Sequence, residues 1–230
     1  ADELGDVRRV LGPLGRDDLA ARCSPDLLAV LDATLAELIQ RRVLIEVRIA
    51  GLDRYAVAQD AARLRDALGP ALPMGLPMAF LEPDFFQRDV LAVARDLVGV
   101  ELVWNGCSGI IVETEAYAAE GDPACHTASR PSAREFMAAK PPGAAYVYFN
   151  YGMYWLFNLL VKGGERDGLI LIRALEPTSG VDVMKARRQK QKEHELCSGP
   201  GKLGMALGIT GDHHGTAMIG RQRPIDCGLR

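Results

Sequence analysis

Paired cysteine motifs are missing from this chain: its five cysteines, at 23, 107, 125, 197 and 227, are odd in number and none stands in a CxxC arrangement. That pattern argues against a disulfide framework or a thiolate zinc site and leaves reduced thiols as the expectation. Long apolar runs are also missing. None reaches the roughly 18 residues that span a bilayer, and prolines interrupt the longest candidate, LPMGLPMAFL. The opening ADELGD is acidic, without the basic-then-apolar order of a signal peptide, so a cytoplasmic protein with no membrane partner is expected. No G-x-x-x-x-G-K-[ST] phosphate loop occurs. Histidines number four, two of them in TGDHHGT, where no further ligand lies at a useful spacing. An exposed loop pair is therefore expected at His213-His214, and no metal site.

A strong net charge is lacking too: the formal value of −3 does not advertise nucleic-acid binding. Its distribution says more. Residues 1–82 carry 10 basic and 13 acidic side chains, so they hold the whole −3, while residues 83–230 balance at 17 of each. Within that neutral part, Lys185, Arg187, Arg188, Lys190 and Lys192 place five positive charges in eight positions. By itself such a run reads as a solvated helix face.

What is present divides at a proline-rich stretch. Ser24-Pro25 reads as an N-cap followed by proline in the first turn, and Leu27, Leu28, Leu31, Leu35 and Leu38 recur at helical spacing to about Gln40. Val43, Ile45, Val47 and Ile49 alternate as a strand, Gly51-Leu52-Asp53 turns the chain, and RYAVA forms a second strand. A helix from about Gln59 to Leu68 ends at Gly69, and Pro70, Pro73, Pro77 and Pro83 mark a linker. Residues 1–82 thus form a small helix–hairpin–helix module. Its segment IAGLDRYAVAQDAARLRDALGPALPMGLPMAFLEP resembles part of large helicase-related proteins of the Lhr type. Without ATPase motifs, it reads as a packing appendage.

From Asp84 the texture changes to α+β. FFQRDVLAVARDLVG reads as a helix with Val90, Leu91, Ala94 and Leu97 on one side. ELVW, the turn NGCSG and IIVETEAY form a hairpin. YVYF and MYWLFNLLV flank Asn150-Tyr151-Gly152, GLILIRALEP is a further strand, and helical segments cover 181–195 and about 199–208. In GIIVETEAY, alternation puts Glu113, Glu115 and Tyr117 on one face and Val112, Thr114 and Ala116 on the other. Two acids and a phenol on one strand face are unusual. A tyrosine-rich hairpin with Tyr151 at its turn, followed by a basic segment, suits stacking on bases and a wedge that props open a duplex.

Taken in order, FFQRDVLAVARDLVG, IVETEAY, Cys125-His126, PPGAAYVYFNYGMYWLFN, LIRALEP and ELCSGPGKLGMALGI resemble the methylpurine (3-methyladenine, alkyladenine) DNA glycosylase family over residues 84–219. The resemblance implies a largely antiparallel, curved mixed sheet surrounded by helices in residues 83–230. It implies cleavage of the N-glycosidic bond of damaged purines, such as 3-methyladenine or hypoxanthine, in double-stranded DNA, with no cofactor. The protein would act as a monomer at the bacterial nucleoid. Residue by residue, Glu115 resembles the base that activates water, and Arg173 the arginine that positions water and the substrate's phosphate. Tyr117, His126 and Tyr148 resemble the walls of the flipped-base pocket. Asn158 resembles the residue that crowds guanine's exocyclic amine, and Tyr151 the intercalating side chain. The helix start at Ser198–Lys202 is a plausible phosphate site, with Lys202, Arg187 and Arg188 as contacts. No lysine in the matched pocket motifs can form a Schiff base, so a monofunctional enzyme is expected. Glu113 is expected to pair with an arginine. Two departures stand out: TASRPSAREFMAAK matches loosely, and the chain stops earlier than family members do, so an unpaired sheet edge is expected near its end.

Overall fold

The computed structural model describes residues 13–41, 43–49, 52–61, 64 and 74–219. Two compact units divide the chain, Ala1–Leu76 and Pro77–Arg230.

In the first unit a short helix α1 (Arg16–Ala20) precedes α2 (Pro25–Gln40), whose N-cap Ser24 hydroxyl accepts from Leu27 N. A hairpin of β1 (Leu44–Ile49) and β2 (Leu52–Val57) follows, paired from Leu44↔Val57 to Ile49↔Leu52. Leu14, Leu19, Leu31, Leu35 and Leu44 make its core. The leucine stripe is therefore buried only from Leu31 onward, and Leu27 and Leu28 are exposed. The sequence did not announce α1; Asp18 holds it, accepting from Gly15 N at 2.9 Å and Arg54 Nη1 at 2.8 Å. Of the helix expected over 59–68, a single 3-10 turn, Ala58–Asp60, begins the span, and most of the rest lies outside the described residues.

The second unit is a five-stranded antiparallel sheet in the order β3-β4-β7-β6-β5. Its strands are β3 (Glu101–Trp104), β4 (Cys107–Ala118), β5 (Ala145–Asn150), β6 (Tyr154–Val161) and β7 (Gly168–Ser179). Helix α3 runs Val90–Leu97, shorter than expected: Pro83–Phe86 is a 3-10 turn, and Asp89 caps α3 by accepting from the amides of Leu91 and Ala92. That start sets the buried side as Val90, Val93, Ala94 and Leu97, with Leu91 exposed instead of facing in. Helices α4 (His126–Ser129) and α5 (Pro131–Ala139) fill the loosely matching segment. Helix α6 (Val181–Arg188) ends seven residues before the expected boundary at 195, because Gln189 turns left-handed at φ 52° and a separate 3-10 turn covers Glu193–Glu195. Helix α7 spans Pro200–Leu207.

These helices cover the sheet unequally. One face carries Phe157, Leu159, Ile170 and Ile172, all fully buried, with α7 packed on β6 and β7 and α3 on β4. Burying a side chain such as Phe157 contributes about 2–3 kcal/mol. On the other face, Ala133, Phe136 and Met137 of α5 pack with Tyr146, Leu160 and Leu169. This second cover lies toward one end of the sheet. The outer edge of β5 is bridged by Ala144↔Ala217. The strand edge expected near the chain end concerns residues 220–230, which lie outside the described residues.

Candidate active site

Cross-strand register decides which side chains meet. Tyr146 pairs with Asn158, Asn158 with Leu171, and Leu171 with Glu115, so one row across four strands carries all four on the same face. Tyr148 lies two positions along β5 and Tyr117 two positions along β4, on that face as well.

The ladder between β4 and β7 is irregular where the acids begin. Ile111 pairs with Leu175, Glu113 with Ala174 and Thr114 with Ile172. Val112 is thus an extra residue on β4 and Arg173 an extra residue on β7, two bulges that cancel and restore the register. Arg173 consequently sits between the acids: its Nε donates to Glu113 Oε1 at 3.0 Å and its Nη1 to Glu115 Oε1 at 2.5 Å. The Tyr117 hydroxyl donates to the other oxygen, Glu115 Oε2, at 2.5 Å. Glu115 is held from both sides while its side chain keeps 37% of its surface open. The opposite parity holds too, since Thr114 Oγ1 donates back to Ala94 O of α3 at 2.9 Å.

Aromatic rings adjoin this triad. His126, at the start of α4, stands edge-on to Tyr148 with centroids 4.3 Å apart, and its Nδ1 lies 3.0 Å from the Tyr146 hydroxyl. Burial pushes the Tyr117 phenol up to about 12, helped by the Glu115 carboxylate, so it stays protonated as a donor. Burial likewise raises Tyr146 and Tyr148. It lowers His126, with Arg130 adding to the effect, so the imidazole is held neutral. Asn158 is buried, and its amide donates to Tyr146 O at 3.1 Å. A cavity of about 490 Å³ opens beyond this cluster, lined by Ala118, Thr127, Arg134 and Asp167 among others, and does not include Glu115.

Two hairpin turns make an instructive pair. At Asn105-Gly106 the φ values are 49° and 73°, and at Tyr151-Gly152 they are 51° and 65°. Positive φ at both central residues is the type I′ geometry, which selects Asn-Gly. The second turn forces a tyrosine into that conformation and leaves it 84% exposed. Backbone strain is retained where something other than stability holds it. Phe149, Met153 and Tyr154 surround the tip, all exposed. This strain is the feature that reading the sequence missed, although Tyr-Gly in place of Asn-Gly was its visible signal.

The basic residues are placed less uniformly. Ser198 bridges Ala174, next to Arg173, so the α7 start adjoins the acid cluster, and Lys202 Nζ donates to Ser198 Oγ at 3.0 Å. Gly201 lies against Tyr154: a Cβ there would come within 2.8 Å of the ring. Arg187 donates to Ala206 O at 3.0 Å and Arg188 to Leu196 O at 3.1 Å, so both brace the α6–α7 corner. His213 stands edge-on to Trp104, with centroids 5.0 Å apart, and His214 Nδ1 lies 2.9 Å from Val147 O and 3.2 Å from Val147 N. The two histidines thus point to different partners, and no group of three or more metal-type ligands occurs among the described residues.

Residues 84–226 match the methylpurine-DNA glycosylase family, well over half of the chain. The chain belongs to that family. The methylpurine-DNA glycosylase match begins where a second one ends: residues 1–83 match the winged-helix domain of large helicase-related protein. Relatives named "Putative 3-methyladenine DNA glycosylase" include one from Bradyrhizobium diazoefficiens, 46% identical over 134 residues, covering 58% of this chain and 66% of that protein. A second, from Rhodopseudomonas palustris BisB18, is 45% identical and covers 59% and 67%. A third, from Granulibacter bethesdensis, is 47% identical and covers 59% and 64%. The chain spans about two thirds of the length of these relatives. No described helix is long and apolar enough to cross a membrane.

Proposed function

We propose that the protein is a monofunctional DNA glycosylase that removes damaged purines, 3-methyladenine and hypoxanthine, from duplex DNA. The observation that carries the reading is Glu115, fixed between Arg173 and Tyr117 beside the His126–Tyr148 wall. A purine in a duplex must be rotated out to reach such a site. As the bond from C1′ to the purine nitrogen breaks, positive charge grows on the sugar. Glu115 stabilises that charge and accepts the proton of the water whose oxygen bonds to C1′. Arg173 holds Glu115 oriented through its guanidinium contact and supplies a cation for a flanking phosphate.

Tyr117, His126 and Tyr148 form flat walls on which the extruded base stacks, and a cationic alkylated purine gains cation–π attraction from Tyr117. Asn158, pinned by its bond to the Tyr146 carbonyl, presents a fixed polar group that crowds a guanine amine. Tyr151 fills the gap in the base stack from its strained turn. Lys202 contacts the DNA backbone beside the site, and Arg187 and Arg188 add positive field from the α6–α7 corner. A monomer acting at the nucleoid, without cofactor, accords with this chemistry.

The test is base release from duplexes containing hypoxanthine or 3-methyladenine. The expected result is free base and an uncut abasic strand with wild type, and none with Glu115→Gln. Tight binding without release, or release undiminished in Glu115→Gln, overturns the reading.

A further inference from the structure

Arg130 has no role in the proposal above, yet its position is fixed as firmly as its neighbours'. Its amide donates to His126 O at 2.7 Å, closing α4, and its carbonyl accepts from Ala133 N at 3.1 Å, opening α5. Pro131 follows, which confines residue 130 to extended backbone, observed at φ −116° and ψ 112°. The exposed side chain therefore leaves a rigid corner next to His126. Its guanidinium carbon stands 5.5 Å from the centre of the Tyr148 ring, within cation–π range. Among the described residues no carboxylate pairs with it.

We infer that Arg130 is a charge-selectivity residue of the base pocket. Its guanidinium occupies the π system of Tyr148 that a cationic purine would use and repels that purine's charge. The pocket is thereby biased toward neutral damaged purines such as hypoxanthine. The inference rests on the glycosylase reading. Its field reaches two of the three walls and the ring behind them: Arg130 adds to burial in lowering His126 and opposes burial at Tyr148 and Tyr146. Other charged or titratable groups close to Tyr148 are His126, Tyr146, Tyr117, Glu115 and Tyr151, and the site's second cation, Arg173, is already matched by two carboxylates. Arg130 is left as the site's cation without a carboxylate partner among the described residues.

Single-turnover release of 3-methyladenine and of hypoxanthine, each from its own duplex, tests this in wild type, Arg130→Gln and Arg130→Lys. Arg130→Gln is expected to raise the 3-methyladenine to hypoxanthine rate ratio by about fivefold to tenfold, one modest cation–π contact. Arg130→Lys, which keeps the charge, is expected to hold the ratio near wild type. In the free protein, the His126 imidazole followed by NMR is expected to titrate at higher pH in Arg130→Gln. An equal loss on both substrates identifies a phosphate contact and overturns the inference, as does an unchanged ratio or an unmoved His126 titration. Wild-type protein that releases neither base removes the glycosylase reading, and this inference with it. Active wild type with an unchanged ratio removes the inference alone.

Discussion

Replacing Tyr151 by asparagine is expected to make the protein more stable and worse at holding damaged DNA. The left-handed conformation costs an ordinary L-residue about 1–2 kcal/mol, and asparagine tolerates it best after glycine. Tyr151 is at φ 51° and 84% exposed, so almost no burial is forfeited on its removal. The net expectation is a gain of about 0.5–1 kcal/mol. Both tryptophans, Trp104 and Trp155, lie in the second unit, so urea unfolding followed by their fluorescence reports that unit alone. Affinity for a duplex carrying hypoxanthine is expected to fall by about tenfold to a hundredfold, the worth of one or two stacking contacts at about 1–3 kcal/mol each. Tyr151→Ala separates the two effects, because alanine removes the ring without relieving the strain. It should lose affinity like asparagine while gaining no stability. Destabilisation by Tyr151→Asn would refute the strain argument, and unchanged affinity in both variants would refute the wedge.

Arg173→Lys keeps the charge but cannot bridge Glu113 and Glu115 as a fork, so single-turnover base release should fall by about tenfold to a hundredfold. The pairs are a third or more exposed, so stability measured by urea unfolding should drop by no more than about 1 kcal/mol. Tyr117, raised from 10.0 to about 12, holds its proton longer in the folded state than in the unfolded one. Its contribution to stability is complete below pH 10 and is lost as pH rises through about 12; alkaline absorbance titration should show Tyr117→Phe deleting a transition near that upper value. Gly204→Ala would drive a Cβ to 2.3 Å from Trp155 O, where α7 meets β6. It should cost about 1–3 kcal/mol by urea unfolding, and a neutral result would deny that close approach.

Much of the scaffold was legible because it depends on local period. Alternation in IIVETEAY put Glu113, Glu115 and Tyr117 together; Arg173 bridges the two acids and Tyr117 bonds to Glu115. The capped helix from Pro25, the hairpins and the helix from Pro200 followed from turn and cap chemistry. Boundaries failed where a single polar residue outweighed the pattern. Asp89 started α3 four residues after the aromatic pair Phe85-Phe86 and thereby turned Leu91 outward. Helix α5 went unread although Pro131 in its first turn and Ala133, Phe136 and Met137 at helical spacing were its signals.

The amino-acid sequence alone determined the candidate chemistry: a carboxylate and phenols on strand faces, an arginine inside an apolar strand and a tyrosine at a turn. Such features are set by residue type and by the two-residue and 3.6-residue periods of the backbone. Tertiary structure alone decided which of them meet. Arg173 reaches Glu115 across 58 residues of chain because paired bulges at Val112 and Arg173 offset the ladder and then restore it. Arg130 faces Tyr148 because α4 and α5 fold back over the sheet. Those meetings depend on register and packing summed over many distant residues, which no local period encodes.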